Sequence, residues 1–319
     1  MAETDTTRWV GPGVLLVLAT AVVSGFSTFL NAYAVQGTNS DAFVTVRNLA
    51  VAGMLVPAAF LATRRVRTRL RAVDWGRLVV IGVVGGAIPF LLFFRGLAMA
   101  TAEGGAATAS FGYRTLFLMA GVLALVVLRE RLRTRWFVAA GLLLVGNALL
   151  LALTAPVWTD GTAYVLAATA LWAAEYTVSK RTLRDVDSTT VGLGRMGFGA
   201  VVLVGYLAAS GQMASAAALT GPQWSWVALS AILLTAFVLS WYAGLQRIDL
   251  GIASSALVLG FPITWALTLA VRGGTLGFPQ AVGAALVVLG VAVAIGYASL
   301  RRGAGAFVSA LRRPEPTSE

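Results

Sequence analysis

Four ionisable residues stand inside long apolar stretches of this 319-residue chain: Arg47, Arg114, Glu175 and Arg195. A charge deep in an apolar span costs at least about 2.5–3.5 kcal/mol on insertion scales, so each is a candidate functional position. A guanidinium presents a planar fork of donors matched to a carboxylate, phosphate or sulfonate. With no His and no Cys, the chain lacks the usual near-neutral proton carrier, thiolate metal sites and a disulfide framework. No Gly-rich phosphate loop ending in Lys-Ser/Thr occurs, which leaves an ATP-driven pump unsupported. Chemistry on lipids usually needs a carboxylate cluster, a His base or a metal, and the apolar stretches hold no Asp/Glu pair. The expectation is no metal, no cofactor and no enzyme, but a site that binds.

Arg114 lies about ten residues into its span, roughly 15 Å deep at 1.5 Å per residue and near the middle of a bilayer. It has two readings. It anchors an anionic group of a substrate, or it forms a buried ion pair with Glu175 that ties two spans together; alternating access allows one partner to replace the other. Glu175, about 14 residues into its own span, is the only acid placed so deep. Any carboxylate-borne proton coupling therefore rests on it. Arg47 and Arg195 lie about one and a half turns from opposite faces. They read as packing residues that snorkel or bond backbone carbonyls or a neighbouring helix end, with substrate contact as the alternative. Arg95 reads as interfacial, or as an outer-vestibule charge facing Glu103.

These positions need elements to hold them. The composition is 58% hydrophobic and only 12% charged, and apolar stretches near 20 residues, the length that crosses a core of about 30 Å, recur along the chain. Ten spans are expected: 11–31, 42–63, 77–98, 104–128, 136–155, 161–180, 189–210, 224–246, 250–271 and 279–299. The halves repeat. An offset of 148 lays Arg195 on Arg47, Tyr242 on Phe94, Gly244-Leu245 on Gly96-Leu97 and Gly260 on Gly112; an offset of 149 lays Ala168-Thr169-Ala170 on Ala19-Thr20-Ala21. Five spans per half invert the second copy, as in many secondary transporters. The domains are then an N-terminal segment 1–10, repeats 11–155 and 161–299, and a polar tail 300–319.

Loop charge sets an orientation. Arg64, Arg65, Arg67, Arg69 and Arg71 follow span two; Arg129, Arg131, Arg133 and Arg135 follow span four; Lys180, Arg181 and Arg184 follow span six; Arg301, Arg302, Arg312 and Arg313 lie in the tail. Connections 32–41, 156–160 and 211–223 carry no Lys or Arg, and 272–278 has only Arg272. Basic loops stay in the cytoplasm, which puts both termini there, in a plasma-membrane protein whose first span is no cleaved signal. The net charge of +11 is thus topological, and nucleic acid is not an expected partner.

The stretch Leu171-Trp172-Ala173-Ala174-Glu175-Tyr176-Thr177-Val178-Ser179-Lys180 resembles the tryptophan-bearing segment of EamA-type carriers of the drug/metabolite transporter superfamily. Arg47 and Arg195 resemble the arginine of the second helix of each repeat in such proteins, Pro262 the proline of a fourth helix, and Glu130 the acid that closes it. The resemblance covers about residues 11–300. It departs at Gly112-Tyr113-Arg114, which faces Gly260-Phe261-Pro262, and at Gly273-Gly274, where an acid is expected. It implies a carrier of small metabolites with a cavity between helices one, three, four, six, eight and nine, and helices five and ten peripheral and available for a homodimer. Tyr113, Phe117, Trp172, Tyr176, Trp241 and Trp265 fall on those cavity helices and read as walls for an amphipathic ligand, or as ordinary packing. Trp9, Trp75, Trp136 and Trp224 at span ends read as interfacial anchors in the lipid bilayer, and Pro57, Pro89 and Pro262 as kinks. The expected function is an exporter or facilitator of a small metabolite bearing an anionic group. The alternatives are a non-transporting membrane subunit or sensor and, after it, a membrane-embedded enzyme.

Overall fold

The computed structural model describes residues 6–34, 38–65, 70–153, 155–273 and 277–296. Their regular structure is helical throughout, and ten spans follow one another: Thr6–Ala34, Ser40–Arg65, Ala72–Ala102, Ala106–Val126, Thr134–Leu150, Asp160–Thr182, Ser188–Ala209, Gly221–Leu245, Leu250–Val271 and Phe278–Ile295. Eight of the described helices are long and apolar enough to cross a membrane. Span five is apolar but only 17 residues long. Span six is long but polar, because it is the interior helix: Thr162, Thr169, Glu175, Thr177, Ser179 and Thr182 are all buried on it. Val56, Phe137, Val201 and Ile232 are exposed on the outside of the bundle, where lipid tails satisfy them. The chain is a multi-pass membrane protein.

The contacts display the inverted repeat. Span one packs on span eight and span three on span six, the same contact with the repeats exchanged; span two meets seven, four meets nine and five meets ten. Spans five and ten approach closely at a glycine pair. A methyl on Gly146 would stand 2.8 Å from the Gly283 carbonyl oxygen, and one on Gly283 would stand 2.6 Å from that of Gly146. Small residues that let backbones meet are the usual device of helix packing in lipid.

Three spans are broken, all next to the bundle centre. Pro89 has no N–H for the Gly85 carbonyl four residues back, and the helix widens to a π turn over Gly82–Ala87. Pro262 stands four residues after Val258, where span nine divides into Leu250–Leu257 and Gly260–Arg272. Span four divides at Thr115, directly after Arg114. Pro57, by contrast, lies inside the unbroken helix Ser40–Arg65. The connection between spans seven and eight holds a short helix, Met213–Ala217, that the sequence reading leaves as loop.

The end that carries the basic loops is closed by polar contacts. Glu130, after span four, accepts from the first backbone N–H groups of span nine, Leu250 at 2.9 Å and Gly251 at 3.3 Å. A carboxylate there also meets the positive end of the helix dipole. Lys180 donates to the carbonyl of Leu245, the last residue of span eight, and to that of Ile248 in the connection to span nine, both at 2.7 Å. Trp136 is a correction. It is buried rather than anchored at an interface, because it faces the second repeat and donates to the Gly251 carbonyl at 3.1 Å and to Ser255 Oγ at 3.2 Å. Trp75 and Trp224 are exposed at span ends, as expected. The tail 300–319 with its four arginines, residues 1–5, Arg67, Arg69 and Gly274 lie outside the described residues, as do the side chains of Trp9, Arg64, Arg65 and Arg272.

Candidate functional site

Between the repeats lies a cavity of about 390 Å³, within the usual range for a small-molecule site. It extends from mid-span to the arginine-poor end: Asn31 and Leu97 lie near the last turns of spans one and three, and Ser110 near the first turn of span four. Spans two and seven join the six expected lining helices, through a single residue each, Arg47 and Arg195. These two arginines are therefore not snorkelling residues. Both are 3% exposed, and both turn inward to the cavity.

Each guanidinium is held separately. Arg47 donates from Nε and Nη2 to Asn48 Oδ1 at 3.2 and 3.0 Å, and Asn48 donates in turn to the Gly86 carbonyl at 3.2 Å. Arg114 donates from Nη1 to Asn147 Oδ1 at 3.2 Å, and its Cζ sits 4.0 Å from the centroid of Phe261. Such a cation over a ring face contributes about 0.5–2 kcal/mol. Arg195 donates from Nη2 to the Gly85 carbonyl at 3.3 Å, and Trp172 Nε1 donates to the same oxygen at 3.1 Å. That carbonyl is the one Pro89 leaves without its regular donor, so the kink in span three supplies the acceptor that fixes two cavity residues.

Glu175 is the main correction. Its partner is Arg195, with Nε to Oε2 at 3.7 Å, and not Arg114. The side chain is 0% exposed and does not line the cavity. Its Oε1 accepts from Ser179 at 2.5 Å and from Tyr242 at 2.7 Å. The physical reason is rotation: Glu175 points at span three, where Gly85 has no side chain. A methyl on Gly85 would overlap Glu175 Cγ and stand 2.7 Å from Cδ. Arg195 thus lies between the carboxylate and the open space.

The aromatic candidates divide. Tyr113, Trp172 and Tyr176 line the cavity. Trp241 is fully buried behind the wall, its ring 4.6 Å from that of Tyr176. Trp265 is not among the lining residues of the cavity, and Arg95 is exposed at the surface. Phe117 lines a smaller space of about 40 Å³, which continues past Tyr113, Arg114 and Phe261 toward the arginine-rich end and reaches Ser254. The sequence reading missed Phe90, Phe93 and Phe261 and a polar stripe on span one, Ser24, Ser27, Thr28 and Asn31. That stripe had a signal: spacing of three, four and seven residues puts it on one face of an otherwise apolar helix.

A two-repeat membrane bundle with a polar, partly aromatic central cavity defines the class of membrane carriers. The EamA-like transporter family model matches residues 11–152 and 160–296, and the chain belongs to that family; it is a membrane transporter. A solved structure described as "Crystal structure of protein" is similar over 88% of this chain and 96% of its own, with a TM-score of 0.70 and 20% identity. That likeness shows the fold alone. No curated protein matches the chain.

Proposed function

We propose that the protein is a secondary transporter, an exporter or facilitator, of a small organic anion, and that it works by alternating access of its two inverted repeats. One observation carries this: among the described residues, Arg47, Arg114 and Arg195 all line one cavity, no Asp or Glu lines it, and the carboxylate that pairs with Arg195 is sealed behind it. Three guanidiniums against one carboxylate leave two positive charges in a low-dielectric interior, where uncompensated charge is costly. An anionic substrate supplies the missing countercharge, while the Phe, Tyr and Trp walls take its apolar part.

Two spaces support the mechanism. The larger cavity faces the arginine-poor end, and the smaller one continues past Arg114 toward the end closed by Glu130, Trp136 and Lys180. Rocking the repeats about the breaks in spans three, four and nine would open the second as it closes the first. Basic loops belong in the cytoplasm, so the reading places the protein in the plasma membrane, both termini inside, with the larger cavity facing out. The packed pair of spans five and ten leaves Phe137, Val145 and Val288 exposed, a face available to a second copy.

The test is thermal stabilisation of the purified protein by amino acids, organic acids, phosphorylated compounds and hydrophobic cations, with Arg114→Gln in parallel. Anionic compounds should stabilise the wild type and lose most of that effect in the variant. Equal stabilisation of both proteins by cations or neutral compounds would overturn the anion reading.

A further inference from the structure

The arginines of the cavity are not equivalent. Arg195 has Glu175 as its countercharge. Among the described residues no carboxylate lies within ion-pair distance of Arg47 or Arg114. Each of these two is instead oriented by a neutral asparagine carbonyl, which fixes the fork without cancelling the charge. Each also lies over a phenylalanine: Arg47 is 5.3 Å from the Phe90 centroid, and Arg114 is 4.0 Å from that of Phe261.

Those two phenylalanines are the ends of one wall. Phe90 meets Trp172 at 5.3 Å, Trp172 meets Tyr113 at 5.5 Å, and Tyr113 meets Phe261 at 6.1 Å, all edge-to-face. An apolar ring surface therefore runs from one uncompensated guanidinium to the other. Arg114 Nε is buried with no hydrogen-bond partner, although Nη1 of the same fork is held by Asn147.

Resting on the anion reading above, we infer that the substrate class is an elongated organic dianion. It carries an acidic group at each end of an apolar, preferably flat, body. A monoanion would neutralise one end and leave the other guanidinium buried and unpaired. A substrate with an ammonium group would find no carboxylate on the cavity wall among the described residues, since Glu175 is 0% exposed behind Arg195. Specificity thus comes as much from the charge left unpaired by the wrong ligand as from contacts with the right one.

The experiment is calorimetric titration of the full-length protein in nanodiscs with three probes that share one body: benzene-1,4-diacetate, 4-methylphenylacetate and 4-(aminomethyl)phenylacetate. The wild type should bind the diacid about ten- to a hundredfold more tightly than the monoacid, the range for one charge-assisted contact of about 1.5–3 kcal/mol. It should bind the zwitterion most weakly. In Arg47→Gln, and separately in Arg114→Gln, the diacid should fall to the affinity of the monoacid. Equal binding of diacid and monoacid by the wild type, or a zwitterion that binds as well as the diacid, would overturn the dianion inference. A monoacid that still needs Arg114 in that case leaves the anion reading standing. The three probes on wild type decide the matter even if a variant does not fold.

Discussion

Neutralising Glu175 is the perturbation that separates the observed arrangement from its nearest rival. Both members of the Glu175–Arg195 pair are buried, at 0% and 4% side-chain exposure. Removing one partner of a buried pair costs about 3–5 kcal/mol, because the other charge is left uncompensated. The contact is long, at 3.7 Å, and Gln keeps the volume and an acceptor for Tyr242, so Glu175→Gln belongs at the low end, about 3 kcal/mol. By the scaling of melting temperature with stability, that is a fall of roughly 5–10 °C. Arg195→Gln should do the same by stranding the carboxylate. The double variant should cost about 4 kcal/mol rather than the sum of about 6, a coupling of about 2 kcal/mol. Glu175→Gln combined with Arg114→Gln should instead be additive, since no contact joins them. Melting curves of the wild type, the three single variants and the two double variants in one detergent give both cycles. Additive effects at Glu175 and Arg195, or strong coupling of Glu175 to Arg114, would refute the assigned pair.

Two further expectations follow from close packing and from the closed end. Gly85→Val pushes a branched side chain into Glu175 and should cost about 1–3 kcal/mol; an unchanged melting temperature would mean that spans three and six do not meet there. Burial raises the Glu130 carboxyl above its ordinary value, against the pull of the Leu250 and Gly251 N–H groups. The folded state then holds that proton more tightly than the unfolded chain, so stability should fall as pH climbs from the ordinary carboxyl value of about 4.3 through the raised one. Glu130→Gln should flatten that slope, as a series of melts across pH will reveal.

Much of the architecture was legible because lipid imposes it. A bilayer demands apolar runs of fixed length, so ten spans, five to a repeat, could be counted; Pro89 and Pro262 each mark a real break because proline removes a helical donor. Rotation about each helix axis was not legible. The apolar residues of a membrane helix face lipid and protein alike, so no moment tells which way Glu175 points. Arg47 and Arg195 looked interfacial from depth alone, yet neighbouring acceptors, Asn48 and the Gly85 carbonyl, draw them inward. Phe90, Phe93 and Phe261 were hidden among 15 phenylalanines, most of them in spans where apolar rings are unremarkable. Trp136 was misread because its position at a span end gives no hint of the Gly251 carbonyl across the repeat boundary.

The chain has no native cysteine, which makes alternating access directly measurable. Ser110→Cys places a thiol in the larger cavity and Ser254→Cys one in the smaller space beyond Arg114. Each variant, reconstituted in vesicles, is treated with a membrane-impermeant maleimide from one side at a time, with and without a gradient of an organic diacid. The expected result is reciprocal: position 110 reacts from the arginine-poor side, position 254 from the arginine-rich side, and the gradient raises one rate as it lowers the other. Reaction of both positions from the same side, or rates that the diacid gradient leaves unchanged, would contradict a carrier that exposes one anion site to each side in turn.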